Sequence, residues 1–156
     1  MGLEMVADRL RPFLNDTRNQ SLFIGSGHPD LGNTHSKISM EAAVRNSQKD
    51  GSYSSTLAKS LLVFIYTEWD EVFRRDIAAE MGVKVGQVSC DLMGDLRHVR
   101  HWIIHNKSRI DGNVSKIKVI EWGLLEGREL SVSSEKFANL IDLINRMNVV
   151  IRKAHA

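Results

Sequence analysis

Apolar residues recur at three- and four-residue spacing over much of this chain, and the recurrence divides it into elements. In residues 2 to 14, Leu3, Val6, Leu10, Phe13 and Leu14 mark one side of an amphipathic helix whose far end Pro12 disturbs. From Asn15 to Ser36 the pattern dissolves into Gly, Asn, Asp, Ser and His, as in Gly25-Ser26-Gly27-His28-Pro29-Asp30, which predicts a loop; a short helix over 36 to 46 follows. A strong helical pattern then spans 54 to 81, with Leu57, Leu61, Ile65, Val72 and Ile77 near one stripe and Gly82 as its stop. The next helix is predicted from the cap residue Ser89 to Asn106, its seam being Leu92, Leu96, Val99 and Ile103. Asp111-Gly112-Asn113 reads as a turn, and 114 to 122 as a helix leading into an extended segment. The last helix carries Phe137, Leu140, Ile141, Ile144, Met147 and Ile151 behind the caps Ser133 and Ser134.

These elements predict an all-α fold, an antiparallel helical bundle in which the 54–81 and 89–106 helices pack side by side and the first and last helices flank them. The variant is a short β-hairpin near 115–132, turning at Glu126-Gly127. Both prolines lie in the first thirty residues, so long helices are permitted downstream. A length of 156 residues with 42% apolar content suits one domain, 1–156.

Composition narrows the function classes. A charged fraction of 26% and a net charge of +2 are ordinary, so any RNA-binding surface must be local. Cys90 is the only cysteine, which excludes an internal disulfide and the structural zinc patterns built on two or more cysteines. The N-terminus lacks the pattern of a secretory signal, and the longest apolar run, Leu61 to Tyr66, is too short to span a bilayer. The expectation is a cytoplasmic protein without membrane association.

Chemistry concentrates in Asp91–Asn106, where three histidines, two arginines and two acids share one predicted helix. Charged groups avoid burial unless paired, so this density on a core-facing helix points to a site. Within it, Arg100-His101-Trp102-Ile103-Ile104-His105 has an arginine, a polar residue, three further residues and a histidine. In this it resembles HEPN domains, as do the long preceding helix with Tyr66-Thr67-Glu68-Trp69-Asp70 and the lead-in Asp95-Leu96-Arg97; the resemblance covers roughly residues 55 to 156. It implies a helical domain that dimerises, bringing two Arg/His pairs into one cleft, often as a metal-independent ribonuclease in toxin or antiviral-defence systems. Lys107 stands where some family members have a tyrosine two residues after the motif histidine, so any modification of that tyrosine does not carry over.

The residue types suit that chemistry without the resemblance. RNA carries its nucleophile in the 2′-hydroxyl, so cleavage needs a base, an acid for the leaving 5′-oxygen and positive charge on the transition state. Histidine titrates near working pH, and arginine's planar fork matches phosphate oxygens. The candidate catalytic residues are therefore Arg100 and His105, with His101 and Asn106 as RNA contacts or orienting groups and Glu68 or Glu71 as supporting acids from the neighbouring helix. Residues five apart on an ideal helix are about 140° apart, so a distorted helix end, the length of Arg100 or a dimer partner must close the gap. The expected partners are RNA, a second copy of the chain and an antitoxin or regulatory protein; no metal or other cofactor is expected.

Other readings compete. Arg100 can pair structurally with Asp95 or an acid of the 54–81 helix, and His98, His101 and His105 at three- and four-residue spacing can in principle ligate zinc, without a clear fourth ligand. Trp69 and Trp102 suit a core better than a base-stacking platform. A second function class is a non-catalytic nucleotide- or RNA-binding module using Arg100 and His105 as a phosphate clamp, and a third is a purely structural interaction domain.

Overall fold

The computed structural model describes residue 5 and residues 21–25 and 34–152. The helix expected over 2–14 lies outside the described residues apart from Met5, which is helical. The chain divides into two compact units, Met1–Thr56 and Leu57–Ala156. Among the described residues it is mostly helical with two small antiparallel strand pairs, and no helix is long and apolar enough to cross a membrane.

In the first unit, strand β1 (Ser21–Gly25) pairs antiparallel with β2 (Thr34–Ser39), from Ser21 opposite Ser39 to Gly25 opposite Thr34. The loop expected from Asn15 to Ser36 therefore contains both a strand and the start of another. Leu22-Phe23-Ile24 is too short an apolar run to show a period against its glycine- and asparagine-rich surroundings. Helix α1 (Met40–Ser47) starts later than expected because Ser36–Ser39 is taken by β2; Ser39 caps it, its Oγ accepting from the Ala42 N–H at 3.2 Å. Met40, Ala43, Val44 and Ser47 form its buried side. At Gly51 a side chain would meet the Asn46 carbonyl oxygen at 2.4 Å, so only glycine fits that close approach.

The second unit holds the main core. The long helical run that starts at Ser52, just before the second unit, is segmented: α2 (Ser52–Glu68), a π-turn over Trp69–Phe73, and α3 (Arg74–Glu80). Leu62 and Trp69 are buried, with Ala58, Ile65 and Tyr66 packed beside them, whereas Leu57, Leu61 and Val72 of the expected stripe are exposed. The π-turn inserts one residue into the helical frame, so the core-facing phase moves on from Trp69 past exposed Phe73 to Ile77 and Ala78. Gly82, with φ +64°, ends α3. Its N–H donates to Ala79 O and that of Val83 to Ala78 O, the double bond of a Schellman cap.

Strand β3 (Val88–Ser89) follows, and then α4 (Asp91–His105), which Cys90 precedes in extended conformation without a side-chain cap. Ser89 is thus a strand residue and not the expected cap. Leu92, Leu96 and Val99 are buried as the spacing predicts and Ile103 packs at the core's edge, joined by Met93 and Trp102. Beyond α4 neither the helix over 114–122 nor a hairpin over 115–132 forms. A 3-10 turn occupies Gly112–Lys116, and the strand-like contacts join 108–110 to 127–130: Ile110 N–H to Arg128 O, Gly127 N–H to Ile110 O and Leu130 N–H to Ser108 O. Asp95, 1% exposed, prevents the helix: its carboxylate accepts the backbone N–H groups of Lys118, Val119 and Ile120 at 2.7–3.1 Å, drawing them out of helical bonding.

Helix α5 (Ser134–Asn145) is capped by Ser133, whose Oγ accepts from Lys136 N–H, and buries Leu140 completely. Phe137, Ile144 and Met147 pack against the core while Ile141 is exposed. The chain then forms β4 (Val150–Ile151), antiparallel to β3, so Ile151 is a strand residue. Gln87 extends this pairing by exchanging bonds with Arg152, which fixes Arg152 near the N-terminal end of α4.

Candidate functional site

The C-terminal end of α4 is organised by a side chain outside the helix. Trp102 is fully buried and points its indole N–H at Asp111 Oδ1, 2.8 Å away. Asn106, the C-cap, donates from Nδ2 to Asp111 Oδ2 at 2.9 Å, and the Asn113 N–H donates to Oδ1 at 2.9 Å. Three donors on one carboxylate hold the anion, and Asp111, led by the Trp102 bond, is lowered to about 2. Just past Asn106, Lys107 and Ser108 both have positive φ, 51° and 64°, a conformation that costs energy in residues with a Cβ. The Ser108 N–H reaches back to Trp102 O at 2.8 Å, closing the helix in a wide turn that presents Asp111 to its last residues.

This frame carries two imidazoles. His101 and His105, one turn apart on the exposed side of α4, have ring centroids 5.1 Å apart at a tilt of 39°. His101 Nε2 lies 3.9 Å from Asp111 Oδ2, close enough for attraction whenever His101 is protonated. His101 and Asn106 are therefore brought together around Asp111, and His105 stands beside His101.

Arg100 is not in this group. Its guanidinium lies over the Tyr66 ring, 5.8 Å from the centroid, and its Nε is buried with no acceptor among the described residues. It lines a cleft of about 360 Å³ with Tyr66, Asp70, Glu71, Arg74 and Arg97. Of the supporting acids, Glu71 thus shares a cleft with Arg100, while Glu68 makes no hydrogen bond or ion pair among the described residues. The structural pairing of Arg100 with Asp95 is not seen, because both Asp95 oxygens serve the 118–120 backbone.

A second cleft of about 300 Å³ shares Tyr66, Arg74 and Arg97 with the first and adds His98, Lys118 and Arg152. Burial lowers the His98 pKa, and Lys116 and Arg97 lower it further. Burial raises Tyr66, with Asp70 adding to the shift and Arg97, Arg74 and Arg100 opposing it. Among the described residues no three His, Cys, Asp or Glu side chains gather in a metal-holding cluster.

Asp111, Asp95 and Tyr66 are the residues that sequence reasoning passed over. Asp111 had a signal: an aspartate two residues before an asparagine N–H is an Asx-turn, five residues after the predicted helix end. Asp95 and Tyr66 depend on contacts with distant segments and leave no local mark. Comparison with protein-family models, with curated proteins and with solved structures finds no match to this chain.

Proposed function

We propose that this chain is a HEPN-type, metal-independent endoribonuclease, a cytoplasmic toxin or antiviral-defence effector that works as a homodimer under control of an antitoxin or regulatory protein. The observation that carries the reading is the pair of exposed imidazoles, His101 and His105, 5.1 Å apart at the end of α4. Two adjacent imidazoles, each able to accept or donate a proton, can act as base and acid in one reaction.

In the proposed reaction His105 takes the proton of a ribose 2′-hydroxyl, and the oxygen attacks the neighbouring phosphorus. The bond from phosphorus to the 5′-oxygen breaks, and that oxygen receives a proton from a second imidazolium, His101 or the His105 of the other protomer. The products are a 2′,3′-cyclic phosphate and a free 5′-hydroxyl. Arg100 supplies charge to the phosphorane oxygens. Since Arg100 lies over Tyr66 while His105 stands by His101, a homodimer is the arrangement that lets the arginine of one protomer face the histidine of the other. An antiparallel bundle of HEPN type is the fold this implies for the second unit.

The test is digestion of a single-stranded oligoribonucleotide beside the same sequence 2′-O-methylated at every ribose. The reading predicts cleavage of the first only, and none by a folded His105→Ala variant. Binding of both without cleavage of either would instead support the non-catalytic RNA- or nucleotide-binding module.

A further inference from the structure

Arg100 sits among cations that the proton-transfer pair does not use. The two clefts that share Tyr66, Arg74 and Arg97 form one basic surface running from Arg100 along α4 to Arg152. Its acids are largely committed: Asp70 pairs with Arg74 at 2.9 Å, Asp91 pairs with Lys118 at 2.8 Å, and Asp95 holds the 118–120 backbone. Of the lining acids only the Glu71 side chain makes neither an ion pair nor a hydrogen bond among the described residues.

Among the cations Arg74 is held by Asp70 and Val88 O and Lys118 by Asp91, whereas Arg97, Arg100 and Arg152 are less committed. The side chains of Arg97 and Arg152 make no hydrogen bond or ion pair among the described residues. Arg100 has only the Tyr66 face and a buried Nε that meets no acceptor. On the same stretch of α4 the His98 pKa is lowered first by burial and then by Lys116 and Arg97, with Asp95 and Asp111 opposing the shift. Guanidinium groups with open donors beside a concave wall are suited to phosphate oxygens, which accept charge-assisted bonds in pairs. Arg97 lies one helical turn before His101, so a strand lying along α4 would place successive phosphates at Arg97 and then at the imidazoles.

We infer that the cleft lined by Arg97 and Arg74 over Tyr66, running beside Arg100 and continuing to Arg152, is a subsite for the phosphates of a single-stranded RNA, away from the bond that the His101/His105 pair cleaves. The choice of RNA rests on the reading given under Proposed function, whereas the site itself stands on the cleft and its open guanidiniums. It sets affinity and the direction of the strand on α4; it does not transfer protons.

The experiment is fluorescence anisotropy with a labelled 2′-O-methyl oligonucleotide, which cannot be cleaved, titrated with full-length protein across a range of salt. Arg97→Ala is expected to weaken binding about tenfold, the loss of one charge-assisted contact, and to reduce the slope of log affinity against log salt by about one. Arg97→Lys is expected to restore the slope and part of the affinity, and Arg152→Ala to weaken binding as well. Thermal melts of each variant confirm folding, which the exposure of Arg97 favours. The subsite is overturned if wild type does not bind the oligonucleotide at low salt, or if Arg97→Ala and Arg152→Ala bind with unchanged affinity and slope. Failure of the ribonuclease reading shows separately, as tight, Arg97-dependent binding with no cleavage of the unmethylated strand.

Discussion

Asp111 is the residue on which the end of α4 depends, since its carboxylate joins Trp102, Asn106 and Asn113 and faces His101. Its ionised form is the one the folded protein favours, the donors around it lowering the carboxyl from its ordinary value to a pKa of about 2. The stability this confers is fully present above the unfolded value and is lost as pH falls through the folded one. Melting temperature is therefore expected to drop between about pH 4 and pH 2. Asp111→Asn should melt lower at pH 7 and show a shallower drop over that window, read by circular dichroism; equal slopes for the two proteins would contradict the assignment. Arg100 and His105 were chosen as candidates from a motif that resembles that of HEPN domains and from their chemistry, and helical geometry already indicated that the two diverge. Which neighbours surround them was not legible, because Tyr66, 34 residues before Arg100, and Asp111, ten residues after His101, are brought in by the fold.

Among the elements, the long helical run from Ser52 to Glu80 shows most clearly how a local pattern can place a helix and misplace its face. Leu57, Leu61, Ile65 and Val72 follow a helical period, yet the buried positions are Leu62 and Trp69, and the π-turn at Trp69–Phe73 shifts the frame again. Adjacent leucines distinguish the two phases. Leu62→Ala is expected to cost about 2–5 kcal/mol in urea unfolding, as a cavity in the core. Leu61→Ala should stay within about 0.5 kcal/mol, as a surface change. The reverse order would mean that the expected stripe, and not the observed one, faces the core. Helices α4 and α5 were legible because their seams are long and their caps or seam residues local; Ser133 is the cap the sequence suggests. The segment after α4 was not, because its course is set by the buried carboxylate of Asp95, 23 to 25 residues away from the amides it binds.

At the scale of the whole molecule, a net charge of +2 conceals an uneven distribution. In the second unit one flank of α4 carries Arg97, Arg100 and His98 beside Arg74, Lys118 and Arg152, and the same helix ends in two exposed imidazoles. A local patch can bind a polyanion without a strongly basic composition, so the bulk charge does not bear on the proposed function. The central claim is that these groups cleave RNA through its own 2′-hydroxyl. It is tested most directly by incubating wild type, Arg100→Ala and His105→Ala with total cellular RNA in excess EDTA and analysing the fragment ends. Fragments ending in 2′,3′-cyclic phosphates from wild type, and none from either variant with its fold intact, are the predicted result; RNA left whole by wild type, or cut equally by all three proteins, would contradict the claim.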